Sequence, residues 1–379
     1  MKVHREFQIF SCVVALMSGW FSGFGQLSLL SDEFDDSRSL SNWNDINVTE
    51  GWGIQPLEWY SIDDSLEGHF QIAPYTSSWF NEWKGSLLFK EVAGDFVITT
   101  EVKSRSRSSD NRPQSQFSLA GIMVRAAMNY DDALASWEPN EQDYIFLAMG
   151  NADGNCSANK GCHAQLENKT TNNSNSTLQI SNIGSNHAQL RVARIGRSFI
   201  LLYRELPNGE WAVHQRFLRS DLPDTVQVGL TTYTDWPKVN AVGHTFHNRN
   251  VLVPGVPNDP APSVGFEPDL IGDFDFYRIE KYQAPDSLSG ATFANDSEVS
   301  NEELLEQFGA INTLDCQDRL HITDQINMPF LSARADTMTF SSDLAAGTTA
   351  LLYGLEVVVE PNVSLFSGVT AEIYPDGCE

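Results

Sequence analysis

Basic residues are scarce in this sequence. Lys and Arg number 24 against 50 Asp and Glu in 379 residues, a formal net charge of -26. Such an excess repels a phosphate backbone at long range, so no nucleic-acid partner is expected. Cysteine is also sparse, at five. No C-x-x-C pair occurs, which argues against a four-thiolate zinc site. No H-E-x-x-H occurs either, and His244 and His247 have no embedded carboxylate base to make a metalloprotease motif. Beyond the N-terminus no segment reaches the run of about 18 apolar residues that a membrane span needs. Long amphipathic helical periods are absent, which disfavours a helical bundle.

What is present points outward. Lys2 and Arg5 precede an apolar stretch from Phe7 to Phe24, and small residues follow around Gly23 and Gly25. That is the layout of a secretory signal over residues 1–25; an uncleaved anchor or a lipid-carrying Cys12 are the alternatives. Removing it leaves Cys156, Cys162, Cys316 and Cys378. An even number in an exported chain suggests disulfides: a local staple between Cys156 and Cys162, and a bracket from Cys316 to Cys378.

From Phe34 to Tyr282 strand follows strand. Examples are Gly94–Val102, Gly121–Arg125, Tyr144–Met149, Gln189–Ile195, Ser198–Arg204, Trp211–Phe217, Thr225–Thr232 and Phe274–Ile279. Each is rich in β-branched and aromatic residues, and many alternate apolar with polar. The expected fold is all-β: an antiparallel sandwich over 32–282, followed by a small β module. Three polar stretches read as inserts on that scaffold: Ser104–Ser118, Asn151–Ser181 and Trp236–Leu270. Residues 283–310 read as a Pro/Ser/Asp-rich linker with a short helix, opened by Ser300 and Glu303 as a capping box and stopped at Gly309. Residues 311–379 alternate short apolar pieces with Gly, Asn, Pro and Asp turns, the texture of a small disulfide-closed stack of strands.

Several segments resemble the concanavalin-A-like lectin/glucanase superfamily, in the branch related to the C-terminal domains of β-xylosidases. They are "DEFDDSRSLSNW" (Asp32–Trp43), "LLFKEVAGDFVITTEV" (Leu87–Val102), "AGIMVR" (Ala120–Arg125), "LRVARIGRSFILLYRE…NGEWAVHQRF" (Leu190–Phe217), "VQVGLTTYT" (Val226–Thr234) and "FDFYRI" (Phe274–Ile279). The resemblance implies a jelly-roll sandwich with a concave groove. It does not fix a function, because one fold hosts many. The tail, "CQDRLHI" (Cys316–Ile322) to "DGC" (Asp376–Cys378), resembles a terminal module of secreted proteins of marine Bacteroidetes-type bacteria. That implies surface retention.

Laminarinase-like members of this superfamily carry carboxylates on one strand as E-x-D-x-E or E-x-D-x-x-E, so that alternate side chains face one groove. No such run occurs here. Aromatics are plentiful instead. Trp52, Trp59, Tyr60, Tyr75, Trp79, Phe80 and Trp83 fall in one polar region, and sugar rings stack on such faces. Trp79 and Trp83 in "SSWFNEW" read as an exposed platform, with Trp59 as a further ring. Arg125, Asn151, Asp235 and Trp236 sit at strand ends or loop starts, where they could grip anions and hydroxyls. Lys103, Arg105 and Arg107 alternate and, with Arg112, form a local basic stretch.

The leading expectation is therefore a secreted or surface-held carbohydrate-binding protein whose partner is a polysaccharide or oligosaccharide. A glycan-cleaving enzyme is the alternative. A lyase needs a carboxylate neutraliser and a base, and Arg125, Tyr144, Tyr233, His244 and His247 are of those types. A surface adhesion protein is the third class. No cofactor is expected; a structural calcium ion is compatible with the many oxygen ligands, although no calcium-loop motif occurs.

Overall fold

The computed structural model describes residues 27–128, 141–153, 164–255, 265–309, 317–323, 326–364 and 366–374. The signal-like stretch 1–25 and all four paired-cysteine candidates, Cys156, Cys162, Cys316 and Cys378, lie outside the described residues.

Strands dominate. In chain order they are β1 Asn44–Asp45, β2 Leu57–Ile62, β3 Phe70–Pro74, β4 Leu88–Ala93, β5 Phe96–Arg105, β6 Ser118–Arg125 and β7 Tyr144–Asn151. Then come β8 Ala164–Asn172, β9 Asn175–Ile183, β10 His187–Ile195, β11 Ser198–Glu205, β12 Ala212–Leu218, β13 Thr225–Tyr233 and β14 Ile271–Lys281. They form two antiparallel seven-stranded sheets, ordered β1-β4-β13-β6-β7-β8-β9 and β12-β11-β10-β5-β14-β3-β2. The fold is an all-β sandwich.

Alternation along each strand builds the core. Ile122 and Val124 on β6, Ile145 and Leu147 on β7, and Val228 and Leu230 on β13 face Ile98 and Val102 on β5, Leu190 and Val192 on β10, and Phe274 on β14. Because side chains alternate across a strand, the intervening residues of the first sheet point to its outer face. There Leu119, Met123, Tyr144, Phe146, Ala148 and Tyr233 form a second apolar cluster with Trp52 and Trp79. Both faces of this sheet are covered, which is why β6 and β7 are buried at every residue.

Residues 164–181 of the stretch Asn151–Ser181 are not the irregular insert its composition suggests. They hold β8 and most of β9, paired in full register from Ala164↔Ile183 to Asn172↔Asn175. Residues 283–309 do not hang free either. Phe293, Val299, Leu304 and Phe308 pack on Val97, Ala193, Ile200 and Leu202, the outer face of the second sheet. The helix Asn301–Phe308 opens on the Ser300–Glu303 capping box, with Ser300 Oγ accepting from Glu303 N at 3.2 Å and Glu303 Oε2 from Ser300 N at 2.8 Å.

The tail forms β15 Gln317–Ile322, β16 Phe330–Phe340, β17 Thr349–Tyr353, β18 Glu356–Val359 and β19 Thr370–Tyr374. All of their pairings are parallel. The register Phe330↔Thr349↔Thr370 on one side, Leu320↔Met338↔Val357 on the next and the bridge Ile326↔Leu344 on a third describe coils stacked one on another. Leu331, Ala333, Ala335, Met338, Leu344, Ala350 and Leu352 fill the inside. This is a short parallel solenoid. It meets the sandwich where Asn42 Nδ2 donates to Phe330 O at 2.6 Å and Phe330 N donates to Asn42 Oδ1 at 3.2 Å.

Candidate functional site

The outer face of the first sheet is closed by the segment between β3 and β4. Ser77 bridges Thr234 through two backbone hydrogen bonds of 3.1 Å, and the chain then crosses the sheet. Trp79 is fully buried there, edge-on to Trp52 at 5.9 Å and to Tyr144 at 5.5 Å. Its indole N–H donates to Ser86 O at 3.0 Å. Gly85 permits this: a Cβ there would stand 2.8 Å from Trp79 Cδ1. Asn81 and Ser176 tie the crossing to β9, Asn81 N donating to Ser176 Oγ at 2.7 Å and Ser176 N to Asn81 Oδ1 at 2.9 Å. Trp79 is therefore not an exposed platform. An apolar sheet face needed a cover, and Trp79 supplies it.

Beneath that cover lie charges. Arg125, read from the sequence as a ligand grip, makes a bidentate pair with Glu50, at 2.6 Å and 3.1 Å, and donates to Gln227 at 2.7 Å. It is wholly buried and its fork is taken. On β8, Lys169 Nζ lies 2.8 Å from Glu167 Oε1 and donates to Trp79 O at 2.6 Å. Tyr233 OH reaches the same Glu167 oxygen at 3.4 Å. The other oxygen, Glu167 Oε2, has no described partner. Burial pushes the Glu167 carboxyl up and the Lys169 ammonium down, and each charge partly restores the other. Burial also pushes the Tyr144 hydroxyl up to about 12 and that of Tyr233 well above its ordinary value. Sequence reasoning missed Glu50, Glu167 and Lys169. The alternation Glu167-x-Lys169-x-Thr171 was the available signal, but in an Asn/Thr-rich stretch it looks like a solvated edge.

The ring array sits at the margin of this cover. Trp83 and Trp236 are half-buried and meet at 5.2 Å, with Phe80 5.4 Å from Trp236 and His244 5.5 Å from Trp83, all edge to face. The Trp83 indole N–H is buried with no described partner. Trp236 opens the helix Trp236–Val242 right after Asp235, whose backbone is left-handed at φ 68. Val239, Val242, Leu252 and Phe266 pack below. His247 is buried and positions rather than presents: its Nδ1 is 2.9 Å from Asn248 Oδ1, while Asn248 Nδ2 donates to Glu82 O at 2.6 Å and Asn248 Oδ1 accepts from Lys84 N at 3.2 Å. That pair pins the backbone on both sides of Trp83. Beside the rings opens a hollow of about 560 Å³, lined by His244, Thr245, Phe246, Arg249 and Asn250.

The remaining sequence candidates fall elsewhere. Asn151 is buried and holds a loop, Nδ2 donating to Gln114 O at 2.8 Å. Asp235 is buried, accepts from Thr76 Oγ1 at 3.0 Å and from Glu267 N at 2.9 Å, and burial pushes its carboxyl up to about 6. Trp59 is exposed but stands on β2, the edge of the other sheet. The basic stretch is paired off: Arg105 to Asp273 at 2.5 Å, Arg107 to Glu58, Lys103 to Asp110 at 3.1 Å. Arg125, Tyr144 and Tyr233 lie together beneath the Trp79 cover, whereas no described hydrogen bond or ring contact joins His244 or His247 to either tyrosine. Among the described residues no group of three or more His, Cys, Asp or Glu is placed to hold a metal ion. No helix among them is long and apolar enough to cross a membrane.

No protein-family model matches the chain, and no curated protein sequence does. Among solved structures it is similar to a functionally unknown protein from Saccharomyces cerevisiae, at TM-score 0.41 and 15% identity over 65% of this chain and 99% of that one. It is also similar to a xylan β-1,4-xylosidase from Bacillus halodurans, at TM-score 0.41 and 15% identity over 70% of this chain and 41% of that one. A legume lectin-like domain from Entamoeba histolytica aligns at TM-score 0.35 and 8% identity over 65% of this chain and 94% of that one. Likeness at this level carries no argument about what this chain binds.

Proposed function

We propose that this chain is an exported or surface-held glycan-binding protein whose contact surface is the ring array Phe80, Trp83 and Trp236 with the adjoining hollow. One observation carries the reading: half-buried tryptophans meet edge to face beside an open hollow that presents imidazole, guanidinium and amide groups. Sugars offer C–H faces to such rings and hydroxyls to such donors. The centre of the first sheet's outer face is not the binding surface, because Trp79 and Trp52 fill it.

The test is affinity electrophoresis and calorimetry of the chain against neutral, uronate and sulfated polysaccharides, repeated with Trp83→Ala/Trp236→Ala. Loss of two stacking rings should weaken binding about tenfold or more while the fold stays intact. Unchanged binding in a folded double variant refutes this surface. Shortening of any glycan on incubation would make the chain an enzyme instead.

A further inference from the structure

A cavity of about 670 Å³ opens at the seam between the sandwich and the solenoid, walled by the segment Ser28–Asn42, by β14 and by the β16–β17 side of the tail. We propose that this seam cavity is a second glycan subsite, selective for a sugar bearing a free, protonated amine. The proposal rests on the glycan-binding reading and adds to it the charge of the ligand.

Most charges around the cavity are already matched. Glu33 holds Arg278 in a bidentate pair at 2.6 Å and 2.8 Å, and Asp36 holds Arg38 at 2.5 Å. Besides Glu280, whose Oε1 is buried with no described partner, two carboxylates are not matched in this way. Asp35 accepts no described hydrogen bond, and Asp275 has only His69 at 3.8 Å. Burial raises both carboxyls; on Asp35 the Arg334 guanidinium in the same wall pulls back while Asp63, Asp32 and Asp275 push up, and on Asp275 Glu101 pushes up against His69, Arg278 and His187. An ammonium group relieves that repulsion, whereas a neutral or anionic group does not. A second observation points to a polyol. Ser39, 4% exposed, stands in the cavity wall with a hydroxyl that has no partner among the described residues. A ligand hydroxyl would satisfy it. Tyr353 lines the wall between Tyr374, stacked at 5.0 Å and 17°, and the Arg334 guanidinium 4.8 Å from its ring centre, so both ring faces are already taken. The volume falls in the range of small-molecule sites, about 300–1,000 Å³.

The test titrates the full chain with a glucosamine oligosaccharide and with its fully N-acetylated counterpart at neutral pH. The amine form should bind about tenfold tighter, a preference that Asp35→Asn/Asp275→Asn abolishes and Trp83→Ala/Trp236→Ala leaves in place. Equal binding of the two sugars, binding of neither, or a preference that survives Asp35→Asn/Asp275→Asn overturns the proposal. The comparison in the unaltered chain stands alone if the double Asn variant fails to fold. Failure of the ring variants to weaken neutral-glycan binding would instead strike the reading on which this one rests.

Discussion

Lys169 donates its ammonium to the backbone carbonyl of Trp79 across 2.6 Å, so a charge in the middle of one sheet fastens the segment that covers it. Glu167 completes the arrangement as the counter-ion, at 2.8 Å. A buried pair of this kind is not evidence of high stability, but removing one partner leaves the other stranded. Lys169→Met should therefore cost about 3–5 kcal/mol in urea unfolding, and adding Glu167→Gln should recover most of that loss. Equal stability of the single and double variants would show that the pair is not coupled.

Trp79 and Trp83 should separate cleanly. Trp79→Ala opens a cavity among Trp52, Tyr144 and the sheet, and should lower stability by about 3–5 kcal/mol. Trp83→Ala removes a half-buried ring and should act mainly on glycan affinity. A thermal melt and a binding isotherm on each variant check both statements.

Acid should loosen the segment that carries Trp83. Burial pushes the His247 imidazole down to about 4 from an ordinary 6.5, opposed by its Asn248 bond and aided by Lys84 and His244 nearby. Between those two pH values the unfolded chain binds a proton that the folded chain does not. Stability is therefore complete above pH 6.5 and is lost as pH falls towards 4, by about 3 kcal/mol from this one group. His247→Gln should flatten that part of the profile in urea titrations at a series of pH values.

Close approach of strands leaves no room at Gly121. A Cβ there would stand 2.2 Å from Leu147 O and 2.6 Å from Ala148 Cα, both backbone. Gly121→Ala should push β6 and β7 apart and cost about 3 kcal/mol, read as a lower urea midpoint.

The sequence made the strands legible where both sheet faces differ in polarity or where a run is wholly apolar, as in Gly121–Arg125 and Tyr144–Met149. It hid β8 and β9 because their alternate residues are Asn, Ser, Thr, Glu and Lys. On β8, Gln165, Glu167, Lys169 and Thr171 are buried only because a distant segment lies over them, and no local pattern announces such a cover, while β9 is a largely exposed edge. The same holds for the two tryptophans of "SSWFNEW", which look alike in sequence. Gly85 and the sheet beneath decide that one is buried and the other lies at the margin. Arg125 likewise ends an apolar strand as a ligand-gripping residue would, yet Glu50, from 75 positions away, claims it.

The stacked coils of the tail carry a consequence of their own. Each turn pairs only with the turns above and below, with Phe330, Thr349 and Thr370 in line. Duplicating one turn would extend the tail by about 4.8 Å, one interstrand spacing, and leave the sandwich untouched. The tail is thus built like a ruler with fixed divisions, whose length can change in whole steps without disturbing what it carries.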